Sequence, residues 1–537
     1  MLKIEIDIKR KEENKMKKWL SVLLAAVMLL AMAGIAGAEN LPLTGKIEVD
    51  QLDPNVTVTA YQLIETTYDD GQITGMKWVS GMEEWLENNY KGLTVEQFAA
   101  YTSGELDVFY DKLAKSISAL GLTKYSGSSG DGGNAVTLDN VAVGNYVVLV
   151  TNAVNVYRPM AASVQYTFDE KQQGWTVVNG KASAKKSTPN LDKKINEGKN
   201  TQAQKDAANK EYYEQTYDTV KIGDIVTFDI YADVPTYPAE SINHTFVIGD
   251  VQAAGLTYME NSIKVMDEKG DALQADQYTV TEKCKIDTEK GQVDGIFKVE
   301  FHTEKLGNIK KVHIQYNAVV NENVEIGTDN NKNTAHLKYS RDPYKEKDYG
   351  YKEDEVKVYT YGIRVIKYTE GEGGRKYLKG AEFRLYEDKE AKTEIAVVKT
   401  DVEGVYRVAT KDESTNSVVM VTAGEDGKIQ IKGLKEGTYY LKETKAPAGG
   451  YNKLKDVVEI VIKKTKANDP KAVEKAASVE LGECGSVKTE VLNNKGTILP
   501  STGGMGTTVF MVAGIGVMAC AVAALMLVLK RQKKNEG

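Results

Sequence analysis

Apolar and polar residues alternate along most of the chain in short runs rich in Val, Ile, Tyr and Thr, punctuated by Gly, Asn and Asp. A period of two predicts half-buried β-strands, and many short strands in series predict tandem immunoglobulin-like β-sandwiches, a mainly β fold class. Helical periodicity is sparse. It is strongest over Val95–Leu120 (VEQFAAYTSGELDVFYDKLAKSISAL), expected as a helical insertion between strands of the first domain, and Gln202–Glu214 reads as a short second helix. Two lysine-rich joints, Lys185–Pro189 and Tyr344–Tyr361, divide the body into segments 39–184, 185–350 and 360–498. Each is long enough to bury its own core.

An internal repeat ties the first segment to the last. Val136–Thr151 (VTLDNVAVGNYVVLVT) lies over Ile429–Thr444 (IQIKGLKEGTYYLKET) without a gap, matching Gly144 to Gly437 and Tyr146 to Tyr439. Both copies read as strand, tight turn, strand. The informative mismatch is Val150 against Glu443, one inward-facing slot that is apolar in the first copy and acidic in the second.

Both ends carry addresses rather than fold. Lys17 and Lys18 precede an apolar run from Trp19 to Ile35 and the small-residue pattern Ala36-Gly37-Ala38, which reads as an export signal over 1–38. Acidic Glu12 and Glu13 stand ahead of that basic start, so translation is expected from Met16; a ribosome-binding sequence just upstream in the gene is the check. At the other end Leu499-Pro500-Ser501-Thr502-Gly503 is followed by an apolar stretch, Val509–Leu529, long enough for a transmembrane helix, and by Lys530, Arg531, Lys533 and Lys534. A second match, Leu41-Pro42-Leu43-Thr44-Gly45, has no apolar span behind it and reads as the lead-in to the first strand. The whole chain has net charge −7; the two removable ends carry 7 and 4 basic against 4 and 1 acidic residues, which leaves the body with 58 basic and 71 acidic, net −13. An acidic exported body argues against a nucleic-acid partner.

Of three cysteines, Cys520 lies in the apolar tail, and Cys284 and Cys484 fall in different segments, so a disulfide framework is excluded. Something else must staple the domains. On the last segment Tyr439, Leu441 and Glu443 share one strand face, as do Ile363, Val365 and Lys367, and Val487, Thr489, Val491 and Asn493. A lysine, an acid and an asparagine therefore point into one apolar interior. The middle segment repeats the pattern with Lys193 between Leu191 and Ile195, Asp250 after Phe246 and Ile248, and Asn333 ahead of Ala335, Leu337 and Tyr339. Desolvation lowers an amine pKa and raises a carboxyl pKa, so such a pair can be neutral. The amine can then attack the asparagine carbonyl carbon, with ammonia leaving and an isopeptide bond remaining.

These residues carry a resemblance. Tyr439–Tyr451 (YYLKETKAPAGGY) resembles the E-box of Cna-B-type domains, and LPSTGG with its apolar tail resembles a sortase sorting signal. With a fimbrial isopeptide-forming middle domain, the chain resembles the major (backbone) pilins of Gram-positive bacteria over essentially its mature length. The resemblance implies an N-terminal Cna-B-like sandwich over 39–184, a fimbrial middle domain over 185–350, a Cna-B-type (SpaA-like) domain over 360–498 and an LPXTG signal with its membrane helix over 499–537. It maps Lys367, Asn493 and Glu443 onto one bond and its acid, and Lys193, Asn333 and Asp250 onto the other. Neighbours leave alternatives: Lys194 for Lys193, Asn331 for Asn333, Asp229 or Asp233 for Asp250, Asn494 for Asn493. It further implies a sortase cutting after Thr502 and passing the acyl group to a lysine of an identical subunit, giving a head-to-tail polymer attached to peptidoglycan. The usual Tyr-Pro-Lys-Asn acceptor motif is missing. Lys185 is the expected acceptor, with Lys181 and Lys186 as alternatives.

A monomeric wall-anchored adhesin or minor pilin is the second reading, with an ancillary pilin or host ligand as partner. The four histidines, His244, His302, His313 and His336, lack metal-site spacing, and no cofactor or turnover chemistry is expected.

Overall fold

The computed structural model describes residues 43–69, 72–169, 174–196, 214–215, 217–238, 240–462, 464–466, 469–473 and 485–495. The export signal, residues 202–213 of the expected second helix, the sorting signal and the apolar run 509–529 lie outside them; Glu214 itself opens a two-residue strand, Glu214–Gln215. Among the described residues no helix is long and apolar enough to cross a membrane.

The first sandwich packs a sheet ordered Gln72–Trp78, Thr57–Asp69, Gly144–Thr151, Met160–Asp169, Gly174–Val178 against one ordered Gly180–Ser183, Thr44–Asp50, Val136–Ala142. Thr44–Asp50 begins within the second Leu-Pro-Leu-Thr-Gly match. On strand Gly144–Thr151, Tyr146 and Val148 enter the core between the sheets, while Val147 enters a second core under a helical layer. Both faces are covered, which is why Tyr146–Val150 can be apolar without alternation.

The helical layer differs from the single stretch expected. It comprises Met82–Asn89, Val95–Ala99, Ser103–Ala114 and a 3-10 turn, Ile117–Ala119. The break at Thr102 is chemical: its hydroxyl accepts from Glu105 N at 3.3 Å while the Glu105 carboxylate accepts from Thr102 N at 2.7 Å, a reciprocal cap that starts a new helix. Met82–Asn89, not anticipated, buries Met82, Trp85 and Leu86 at helical spacing.

The repeat is real in three dimensions but is not a hairpin. In each copy the first strand lies in one sheet and the second crosses to the facing sheet. The matched tyrosines make the same contact, Tyr146 Oη donating to Ala142 O at 2.6 Å and Tyr439 Oη to Lys435 O at 2.7 Å.

In the second sandwich one sheet holds Leu191–Asn196, Ile225–Asp233, Lys311–Val320 and Leu256–Tyr258; the other holds Tyr349–Tyr359, Lys332–Ser340, Phe246–Gln252, Gly291–Phe301 and Tyr278–Thr288. In the third, one sheet runs Gly374–Tyr377, Tyr361–Gly371, Lys428–Leu434, Val405–Val408, Val397–Lys399, and the facing one is built on Glu382–Tyr386, Gly437–Lys445 and Val458–Ile462. The last strand, Ser486–Leu492, pairs in parallel with Tyr361–Gly371, in register Ile363 with Val487 and Lys367 with Val491. The chain divides into two compact units, one taking in the first two sandwiches and the other the third.

Candidate functional site

In the third sandwich the register dictates the chemistry. Residues opposite one another on parallel neighbours share a face, so Lys367, opposite Val491, lies on the same side as Asn493 two residues on. Asn493 N donates to Tyr368 O at 2.9 Å, which keeps the strand end in place. Glu443 comes from the facing sheet. Lys367 is 0%, Glu443 1% and Asn493 1% exposed, so water is excluded from all three. Lys367 Nζ donates to Asn493 Oδ1. Glu443 Oε1 lies 3.1 Å from Lys367 Nζ and accepts from Asn493 Nδ2 at 3.2 Å, while its Oε2 accepts from Leu454 N at 2.7 Å. One carboxylate oxygen thus touches both the amine and the amide nitrogen. Burial pushes the Lys367 amine below its ordinary pKa, with Glu443 opposing.

In the second sandwich the partners come from opposite sheets. Lys193 lies on the first strand of one sheet, Asp250 and Asn333 on neighbouring strands of the other, with Gln252 opposite Asn333. All three are buried. Lys193 Nζ donates to Asp250 Oδ2 and also to Tyr316 Oη at 3.0 Å. Tyr316 Oη donates to Asp250 Oδ1 at 2.9 Å and accepts from Asn333 Nδ2 at 2.7 Å. Asn333 Oδ1 has no hydrogen-bond partner among the described residues. The Lys193 ammonium sits 5.3 Å from the Phe228 ring centre and 5.1 Å from that of Tyr316. Burial pushes the Lys193 amine down and the Asp250 carboxyl up to about 6, although each pulls the other back.

The alternatives sit elsewhere. Lys194 pairs with Asp192 at 2.6 Å, Asp233 with Lys311 at 3.6 Å, and Asn494 is exposed. Asp229 is buried but accepts from His313 Nε2 at 2.7 Å and Gln315 Nε2 at 2.9 Å. Asn331 is buried on the loop before its strand, where its carbonyl accepts from Val358 N.

With two dry clusters in two sandwiches, comparison with known proteins becomes informative. Residues 363–476 match the SpaA prealbumin-like fold domain, which takes in Lys367 and Glu443. The Trypsin-resistant surface T6 protein of Streptococcus pyogenes serotype M6 (strain ATCC BAA-946 / MGAS10394) is 25% identical over 586 aligned positions, covering 95% of this chain and 100% of that protein. This chain is similar to Gram-positive backbone pilins. The solved T6 backbone pilin of serotype M6 S. pyogenes, a modular three-domain structure decorated with variable loops and extensions, shares its fold with TM-score 0.54 at 20% identity, over 86% of this chain and 95% of that one.

In this chain the three candidate acceptor lysines differ in their surroundings. Lys181 Nζ pairs with Glu48 at 3.2 Å. Lys186 lies on a two-residue strand, Lys186–Ser187, paired with Val156–Tyr157, and its Nζ is 2.5 Å from Asp53 Oδ1. Asn155 Nδ2 donates to Asp53 Oδ2 at 2.7 Å, so Asp53, Asn155 and Lys186 form a third lysine, acid and asparagine cluster, on the surface. Lys185 is exposed, and its ammonium has no partner among the described residues. Leu499, Pro500, Ser501, Thr502 and Gly503 lie outside the described residues.

Sequence reasoning missed Tyr316. A signal was there: Val312, Ile314, Tyr316, Ala318 and Val320 share one buried face, and a hydroxyl carried into such a row needs a partner. It missed the surface cluster for a different reason, since Asp53 and Asn155 lie on loops where no period operates.

Proposed function

We propose that this chain is the structural backbone subunit of a sortase-polymerised, cell-wall-anchored pilus, stabilised by two self-formed bonds, Lys367 to Asn493 and Lys193 to Asn333. The observation that carries it is the pair of solvent-excluded clusters of amine, acid and carboxamide, in direct mutual contact around Glu443 and joined through the Tyr316 hydroxyl around Asp250. A buried ion pair is costly to desolvate, whereas the neutral pair is not. The neutral amine attacks the asparagine Cγ, the acid takes a proton from the attacking nitrogen and returns one to the departing nitrogen, and ammonia leaves. Each bond forms once per chain; no turnover is proposed.

The placement of the bonds fits a load-bearing role. Lys367 and Asn493 lie 126 residues apart, on the first strand and just past the end of the last strand of one sandwich, so a bond between them carries tension past everything in between. The Lys193 to Asn333 bond joins facing sheets and shunts most of the middle sandwich. At the C-terminus, cleavage between Thr502 and Gly503 and transfer to Lys185 of the next subunit would link subunits head to tail, and transfer to peptidoglycan would anchor the fibre. Asp53 keeps Lys186 engaged while the amine next to it is free, which supports Lys185 as acceptor.

The test is the intact mass of the exported body, expected to be low by about 34 Da, two ammonia losses of about 17 Da. A mass equal to the plain sequence overturns the bonds. A single species in wall extracts on a denaturing gel, instead of a ladder, overturns the polymer.

A further inference from the structure

The two clusters use their acids differently. In the third sandwich Glu443 Oε1 reaches both reacting nitrogens unaided. In the second, Asp250 is one methylene shorter and contacts Lys193 directly, but its route to Asn333 runs through the Tyr316 hydroxyl. That hydroxyl touches all three members. Its position is fixed by packing: the Tyr316 ring stacks on Phe228 at 5.3 Å between centres and meets Phe297 edge-on at 5.0 Å. The hydroxyl is held by the ring's neighbours rather than by the groups it serves.

We infer that Tyr316 is a catalytic residue of the middle-domain reaction, a proton relay that connects the short acid Asp250 to the leaving nitrogen of Asn333. This rests on the bond-forming reading above. Starting from the neutral amine and the protonated acid, Lys193 Nζ attacks Asn333 Cγ and the new C–N bond forms. As Nζ becomes positive it passes a proton to Asp250 Oδ2. The proton already on Asp250 Oδ1 moves to Tyr316 Oη, whose own proton moves to Asn333 Nδ2, now tetrahedral with a free lone pair. The Cγ–Nδ2 bond breaks, ammonia leaves, and the acid and the phenol are returned to their starting state. The phenol stays protonated between transfers, because burial and the adjacent Asp250 push its pKa well above the ordinary value. Asn333 Oδ1 has no hydrogen-bond partner among the described residues to stabilise the oxyanion, so prompt protonation of the leaving nitrogen along this chain, which lets the carbonyl re-form as ammonia departs, shortens the life of that charge.

The test compares the wild-type chain with Tyr316→Phe, which keeps the ring and removes the hydroxyl. After a pulse of synthesis, the fraction of peptide joining Lys193 to Asn333 is followed by mass, with the Lys367 to Asn493 peptide in the same molecule as an internal clock and fold control. Removal of a positioned acid or base costs on the order of 100-fold, so the middle bond should lag by about that factor while the C-terminal bond keeps its wild-type rate. Adding Asp250→Glu to Tyr316→Phe should recover much of the rate, because the longer acid reaches the amide as Glu443 does; a merely structural tyrosine would not be rescued this way. A Tyr316→Phe chain whose middle bond forms at the wild-type rate overturns the relay. A wild-type chain with no middle bond overturns instead the reading on which it rests.

Discussion

Among the described residues lysine, acid and asparagine meet around Glu443, Asp250 and Asp53, and water separates their fates. Around Glu443 and Asp250 all partners are buried, and desolvation pushes both lysines toward the neutral amine. Around Asp53 the same three residue types touch at comparable distances, but the side chains of Lys186 and Asp53 remain 29% and 15% exposed. There, partial burial pushes the Asp53 carboxyl up, yet hydrogen bonds from Lys186, Tyr157 and Asn155 outweigh it and hold the group below its ordinary pKa of 3.8. The carboxylate stays ionised at neutral pH, and the cluster stays open to water. Contact geometry alone does not make a self-linking site; a dry environment has to turn the ammonium into a nucleophile. Lys185, exposed and without a partner for its amine among the described residues, is a third case, and the reading proposed above makes it the amine that takes an acyl group brought from outside.

The sharpest way to break this comparison is at the acceptor. Lys185→Ala should abolish the ladder of wall-extracted polymer, whereas Lys186→Ala and Lys181→Ala should leave it, read on a denaturing gel. A ladder that survives the first and disappears with Lys186→Ala would mean that the Asp53 pair presents its amine instead of restraining it. Next in size is Glu443→Gln, which keeps shape but loses the acid. The chain should be about 16 Da heavier than wild type, one retained ammonia of about 17 Da less about 1 Da for the change of Glu to Gln, and the stability of the third sandwich to denaturant should fall by about 5 kcal/mol, the chain-entropy value for a cross-link closing a loop of this length. A Glu443→Gln chain that still carries the Lys367 to Asn493 bond would show that burial alone drives the reaction.

How much of this was legible in the sequence follows from which contacts have a period. Lys367, Glu443 and Asn493, and likewise Lys193, Asp250 and Asn333, could be read because strand residues two apart share a face, so a charged residue in an apolar row announces itself. The pairing that joins them could not. Tyr361–Gly371 meets Ser486–Leu492 across the whole domain, and nothing local specifies that the two run parallel. Tyr316 passed for a core aromatic because its row is otherwise apolar, and only the neighbouring sheet supplies the acid and amide that give its hydroxyl a task. The helical insertion failed at its punctuation: Thr102 and Glu105 look like ordinary surface residues within a periodic run until they are seen capping each other.

The smallest expected effect tests the exposed side of the comparison. Asp53→Asn should change the intact mass only by the roughly 1 Da of the substitution, with no step of about 17 Da because no bond is lost, and should lower the stability of the first sandwich by only about 1 kcal/mol, the upper range for a pair that water still screens. Its pH dependence has a definite sign. Asp53 has a lower pKa in the folded chain than its ordinary 3.8, so its contribution is complete above that value and is lost as pH falls through the lower, folded one. Melting curves of wild type and Asp53→Asn should therefore differ by a constant amount from neutral pH down to about 5 and converge below about 4. A gap that widened on acidification would mean that the carboxyl is protonated at neutral pH. The surface cluster would then share the chemistry of the buried ones, and a third ammonia loss would have to be sought between Lys186 and Asn155.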